Sequence, residues 1–162
     1  MSEKFKVRRA EKKDISAIMK LLKQVNRVHH EGRPDLFRLT TKYTEEELGR
    51  ILKNDQTPVF VCEDGNETVL GHGFCILQRP DNTRLQTDIL TLYIDDICVD
   101  EKARGKHIGK AIYEFVRDYA QSIGCNHITL NVWEGNDPAL HFYKNMGMQI
   151  QKTTMEVILK QC

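Results

Sequence analysis

Between one apolar run and the next lie eight residues, Arg104 to Ala111 (RGKHIGKA), that combine two glycines with cations at Arg104, Lys106 and Lys110. A strand that turns at once into a helix leaves backbone N–H groups without helical acceptors, and the helix dipole favours negative charge at that point. Glycine lets a phosphate approach the backbone there, so the chemistry on offer is anion binding. A simple tight turn accounts for the spacing equally well. Two nucleotide cradles are excluded. The G-x-x-x-x-G-K-[ST] loop would need one more residue and a hydroxyl where Ala111 stands, and G-x-G-x-x-G does not fit either.

A second candidate precedes this turn. In ILTLYIDDICVD, Asp95 and Asp96 interrupt an apolar strand that should be covered on both faces, an unusual place for two carboxylates. Adjacent strand residues point to opposite faces, so the two are expected to do different work. His72, between Gly71 and Gly73 in another apolar run, could shuttle a proton or line a substrate cleft. His29 and His30 are neighbours on a helix and diverge by about 100°, and no third ligand is spaced to help, so no metal site is expected. The five cysteines form no C-x-x-C pair, and those inside apolar runs, Cys98 included, read as small buried hydrophobes.

The elements that position these groups follow from periodicity. FKVRRA reads as a first strand, and Asp14 as the cap of a helix with its stripe at Ile15, Ile18, Met19, Leu22, Val25 and His29. Thr44 and Glu47 form a capping box that opens a short second helix. PVFVCED and TVLGHGFCILQR are in hairpin order, and residues 91–99 make a third long strand. The helix after the glycine turn is striped by Ile108, Ile112, Phe115, Val116, Tyr119 and Ile123 and ends at Gly124. HITLNVW is a strand, Asp137-Pro138 starts a last helix, and residues 149–159 alternate as a closing strand. The strands at 91–99 and 127–133 should run parallel through a right-handed crossover.

Composition narrows the class. The 162 residues suit one domain, residues 1–162, with a sizeable core. Lys plus Arg (24) nearly balance Asp plus Glu (23), which gives no electrostatic reason to expect nucleic acid or an anionic membrane. A charged N-terminus, MSEKFKVRRAEKKD, and the lack of a long apolar run point to a cytoplasmic protein.

The turn and the last helix together resemble the GNAT family of N-acetyltransferases. Arg104 to Ala111 is similar to the family's R/Q-x-x-G-x-G/A pyrophosphate loop, with His107 in place of the first motif glycine. NVWEGNDPALHFYKNMGM is similar to N-x-x-A-x-x-F-Y-x-x-x-G-F: Asn136, Ala139, Phe142, Tyr143 and Gly147 match, and Met148 stands for the final Phe. VRRAEKKDISAIMKLL also looks like the family's first strand and helix, so the resemblance covers nearly the whole chain.

The fold implied is α/β: a mixed, mostly antiparallel sheet with a parallel strand pair splayed at its centre and helices on both faces. The resemblance further implies that acetyl-CoA is the acyl donor. Its pyrophosphate would rest on the N–H groups of Arg104, Gly105, Lys106, His107, Ile108, Gly109 and Lys110, and its pantetheine would pair along Ile97, Cys98 and Val99. Asn136 and Tyr143 complete the implied cofactor site, Tyr143 as general acid for the departing thiolate. Asp95 stands where diamine-acetylating members carry a catalytic glutamate, with Asp96, His72 and water as alternatives for the base. An N–H of Ile97 or Cys98 could stabilise the thioester oxygen. His29, His72 and Asp95 are the candidates for touching the acceptor, a small-molecule amine or a protein N-terminus. A non-catalytic acyl-CoA-binding regulator is the alternative reading, and assembly as a homodimer is left open.

Overall fold

The computed structural model describes residues 4–81 and 84–160, so Cys162 lies outside the described residues. The chain divides into two compact units, Met1–Leu130 and Asn131–Cys162.

The first unit is a five-stranded sheet in the order β1-β2-β3-β4-β5, formed by Lys6–Arg9, Val59–Glu63, Val69–Gln78, Thr91–Val99 and His127–Leu130. The first four strands pair antiparallel. β5 runs parallel to β4, as the intervening helix predicts, from Thr91↔His127 to Ile94↔Leu130. That ladder stops after four pairs, while β4 continues to Val99 against β3. The two parallel strands therefore share only the first half of β4.

Helices cover both faces. Helix α1 (Ile15–Gly32) and α2 (Glu45–Lys53) lie on one side. There Ile18, Leu22 and Leu48 pack with Val59, Val61 and Phe74 of the sheet, all buried. Helix α3 (Ile108–Ser122) covers the other side, where Phe60 of β2 meets Phe115 and Tyr119 at ring separations of 5.2 and 5.0 Å. Alternation along β2 explains the division: odd residues face α1 and α2, and Phe60 faces α3.

Two glycines set the spacing between α3 and β3. A Cβ on Gly71 would lie 2.8 Å from the Cys98 carbonyl oxygen and 3.0 Å from Ile112 Cδ1, and one on Gly73 would lie 3.0 Å from Ile112 Cγ2. The Gly-His-Gly sequence is thus a packing requirement on one face, with His72 turned to the other.

The Thr44 capping box forms as expected: Thr44 Oγ1 accepts from the Glu47 N–H at 3.1 Å, and Glu47 Oε1 accepts from the Thr44 N–H at 3.1 Å. Asp14 differs from expectation. It occupies the N-cap position of α1 but makes no side-chain capping bond. Its carboxylate instead accepts both Arg8 guanidinium nitrogens, at 2.8 and 2.9 Å, and the Glu11 N–H at 2.8 Å. Arg8 also reaches Glu63 at 3.0 Å, so one guanidinium neutralises two largely buried carboxylates. Burial pushes Asp14 up, but these hydrogen bonds and the Arg8 charge outweigh it and hold the carboxyl below the usual carboxylate range.

In the second unit the regular element is α4 (Asp137–Asn145). Asn136 caps it, its Oδ1 accepting from the Ala139 N–H at 3.4 Å, and Gly147 closes it with φ +96. The strand expected at 149–159 does not form among the described residues. An extended segment becomes a strand only beside a partner ladder, and the described residues of this unit contain no other strand to supply one.

Candidate functional site

The site is organised by an irregularity in β4. Phe74 pairs with Asp96, but Cys75 pairs with Ile94, leaving Asp95 as an extra residue between two matched pairs. This is a β-bulge, and it lies where the β5 ladder ends. Simple alternation is interrupted at a bulge, and the two carboxylates take different partners, Asp95 the Lys42 ammonium and Asp96 the His72 imidazole.

Lys42 donates to Asp95 in a direct ion pair. Burial pushes Lys42 down, but Asp95 and more weakly Asp96 outweigh it and raise it above the ordinary lysine value. The Nζ also lies 5.5 Å from the centroid of the Tyr43 ring, within cation–π range. Tyr43 stacks on Phe74 at 5.8 Å, which ties this part of the α1–α2 connection to the sheet. Burial is the main reason the Tyr43 hydroxyl is also raised.

Asp96 is served from the neighbouring strand. His72 is fully buried, and its Nε2 lies 2.9 Å from Asp96 Oδ2. A carboxylate can only accept, so Nε2 carries the donated hydrogen, while Nδ1 is buried without a hydrogen-bond partner. The edge of the Phe74 ring system meets His72 at 4.9 Å and 87°, fixing the imidazole plane. An ammonium and an imidazole thus meet two carboxylates that are largely covered, Asp95 17% and Asp96 12% exposed.

Further along β4, Cys98 donates a weak Sγ–H hydrogen bond to the Leu21 carbonyl at 3.5 Å. Burial, aided by Asp96, pushes its thiol up to about 12. Burial likewise pushes Cys62 up to about 11 and Cys75 up to about 12, so these buried thiols are packing groups and not nucleophiles. Ile97 and Val99 sit opposite Gly73 and Gly71 in the β3 register. From residue 95 onward β4 has no β5 ladder among the described residues.

The glycine turn follows within a few residues. Asp100 caps a short 3-10 turn, Glu101–Ala103, and buried Ala103 anchors it. Arg104, Gly105, Lys106 and His107 are then exposed. Gly105 has φ +84 with nothing within 4 Å of where a Cβ would stand. His107 itself adopts the left-handed conformation, φ 62 and ψ 27, immediately before α3. Ile108, Gly109 and Lys110 form the first helical turn, and the Ala111 N–H closes onto the His107 carbonyl at 3.1 Å. N–H groups ahead of that bond precede the first helical acceptor.

The remaining candidates are placed as follows. His29 stacks on Phe37 at 5.0 Å and 25°, and His30 Nδ1–H donates to the Phe37 carbonyl at 2.7 Å. Both histidines therefore hold the α1–α2 connection. Asn136 and Tyr143 belong to the second unit, where the Tyr143 ring meets Phe142 edge-on at 5.0 Å and its carbonyl accepts from the Met148 N–H. Among the described residues no group of three His, Cys, Asp or Glu is arranged to hold a metal ion. Sequence reasoning missed Lys42 and Tyr43. A lysine in an irregular loop carries no local sign of its partner, because that partner lies 53 residues away.

Comparison with known proteins identifies the family and the fold. A model described as the acetyltransferase (GNAT) family matches residues 20–148, across both units. The solved structure of a BH1408 tetramutant from Bacillus halodurans superposes with a TM-score of 0.89 at 30% identity, covering 95% of this chain and 99% of its own. A glucosamine 6-phosphate N-acetyltransferase of Arabidopsis thaliana is 25% identical, with 96% of this chain and 97% of its own covered. Its structure superposes with a TM-score of 0.71. A shorter match, 36% identical over 58 residues, is to a thialysine N-epsilon-acetyltransferase of Bos taurus, covering 36% of this chain and 34% of that one.

Proposed function

Since this chain belongs to the acetyltransferase (GNAT) family, we propose that it transfers the acetyl group of acetyl-CoA to a primary amine by direct attack of the amine on the thioester. The observation that carries the reading is the β4 bulge: it presents two carboxylates at the point where β4 loses its β5 partner, on the strand that leads into the left-handed turn before α3.

The parts divide the work. Arg104 to Lys110 supply N–H groups and positive charge for the donor's pyrophosphate, and the open space at Gly105 suits close approach. Ile97, Cys98 and Val99 offer backbone to the pantetheine, and one N–H of this stretch stabilises the charge that develops on the thioester oxygen. An alkylammonium with pKa near 10.4 is neutral in only about one molecule in two thousand at pH 7. Asp95 attracts the cation and takes up its proton, directly or through water. Tyr143 returns a proton to the departing thiolate, and Asn136 fixes the helix that carries it. On this reading both units form a single N-acetyltransferase domain, 1–162. The acceptor is cationic; the amines named in two relatives, glucosamine 6-phosphate and thialysine, fit that class. A cytoplasmic setting suits the buried, unpaired thiols of Cys62, Cys75 and Cys98.

The test is thiol release from acetyl-CoA against a panel of primary, secondary and aromatic amines, with calorimetry of CoA binding beside it. Turnover confined to primary alkylamines and lost in Asp95→Asn supports the assignment. CoA binding with no turnover on any amine assigns the protein instead to non-catalytic acyl-CoA binding.

A further inference from the structure

The ion pair at the bulge raises a problem for the mechanism. The carboxylate assigned to the acceptor amine already holds an ammonium, that of Lys42. Three groups near that ammonium are ones that a primary alkylammonium from solution would seek. Asp95 accepts from it, Asp96 adds a second negative charge, and the Tyr43 ring lies 5.5 Å away.

We propose that Lys42 is a tethered competitor for the acceptor: its ammonium fills the seat on Asp95 that the acceptor's ammonium takes, and must leave before an amine is acylated. This rests on the reading of Asp95 as the acceptor-facing carboxylate.

The local structure suits a side chain that leaves while the loop stays. Asn26 Nδ2 donates to the Arg38 carbonyl at 2.7 Å and also to the Thr40 carbonyl, which anchors the connection before Lys42. The Thr44 capping box anchors it after, and Tyr43 is stacked on Phe74. The backbone on either side is therefore held, and withdrawal falls to the four-carbon stem of Lys42, a side chain that is 44% exposed. Nothing in β4 need move. The pairing of Asp96 with His72 is separate, so the second negative charge stays in place when Lys42 departs.

Selectivity follows. An acceptor must match an ammonium that is already at the carboxylate, so primary alkylammonium ions compete well, whereas neutral hydroxyl compounds and aromatic amines of low basicity do not. Partly exposed ion pairs are worth a factor of roughly two to five in an equilibrium. Removing Lys42 should tighten acceptor binding by about that factor, with little effect on acetyl-CoA affinity.

The experiment titrates n-propylammonium chloride, with 1-propanol as the neutral control, into full-length protein without acetyl-CoA, following side-chain carboxyl and lysine NMR signals. Wild type, Lys42→Met, Lys42→Arg and Asp95→Asn are compared, each checked for folding by its melting curve. The expected result is about two- to fivefold tighter binding of n-propylammonium to Lys42→Met, wild-type or weaker binding to Lys42→Arg, and none to Asp95→Asn. If Asp95→Asn abolishes binding but Lys42→Met equals wild type, the tethered competitor is wrong and the acceptor seat survives. Weaker binding to Lys42→Met would make Lys42 a group that holds the acceptor, which also overturns the proposal. If Asp95→Asn binds as wild type does, the Asp95 assignment itself falls.

Discussion

Gly71→Ala and Gly73→Ala make a pair whose outcomes should differ, although both add one methyl to the same face of β3. At Gly71 the new Cβ would stand 2.8 Å from the Cys98 carbonyl oxygen, with Ile112 Cδ1 at 3.0 Å and Ile108 Cγ2 at 3.2 Å. The nearest atom is backbone of β4, which cannot rotate away, so β3 and β4 must part or α3 must lift. At Gly73 the close neighbour is a methyl of Ile112 at 3.0 Å, the next atoms being at 3.8 and 3.9 Å, and a small side-chain shift relieves it. Overpacking a close-packed interior costs typically about 1–3 kcal/mol. Gly71→Ala should fall at the upper end of that range, and Gly73→Ala at or below the lower end. Urea titration followed by far-ultraviolet circular dichroism measures both, with the midpoint falling and the slope unchanged. The clash at Gly71 acts on Cys98 and on the start of α3, so Gly71→Ala should also weaken CoA binding, whereas Gly73→Ala should leave it near wild type. Equal losses of stability in the two variants, or a larger loss at Gly73, would refute the claim that the glycines are there because β4 backbone and α3 approach so closely.

Arg8→Met strands Asp14 and Glu63 without their shared guanidinium and should cost about 3 kcal/mol or more in urea denaturation. Asp14 titrates lower folded than unfolded, so its contribution is complete above the unfolded value near 3.9 and is lost as pH falls through the lower folded value. Wild type should therefore weaken below about pH 4, and Arg8→Met should show a shallower acid limb. His107→Val forces a β-branched residue into the left-handed region and should lower stability by about 1–2 kcal/mol, while His107→Gly should hold or raise the melting temperature. Tyr143→Phe should lower kcat by about a hundredfold with CoA affinity kept; an unchanged kcat where chemistry limits the rate would remove the general-acid role.

Much of the architecture was legible because local rules produced it. The Ile18–Leu22 stripe, the Thr44 box, the hairpin and the parallel return at His127 each follow from spacing within one or two segments. The turn before α3 suggested a place for the donor's phosphates only through two motifs taken together. What escaped the sequence depends on relations between segments. Asp14 has the residue type and place of a helix cap, but Arg8 and the Glu11 N–H claim its carboxylate. Residues 149–159 alternate as a strand should, yet alternation specifies faces and cannot supply a neighbour. Lys42 is an ordinary loop lysine until the sheet brings Asp95 beneath it.

The bulge is the clearest case, and the proposed chemistry depends on it. In an unbroken β4, Asp95 would share the face of Cys75, Ile97 and α3, where a carboxylate would be buried in an apolar layer at a cost of several kcal/mol. Slipping one residue at Cys75 keeps Ile94 and Ile97 matched to their partners while moving Asp95 into reach of Lys42. The same slip increases the local twist of β4, and it falls at the residue where the β5 ladder ends. One irregularity thus brings two carboxylates together at the residue where the β5 ladder ends. Deleting Asp95 should restore regular β3–β4 pairing and leave a folded protein. It should also abolish acetyl transfer more completely than Asp95→Asn, because the deletion removes the bulge along with the carboxylate.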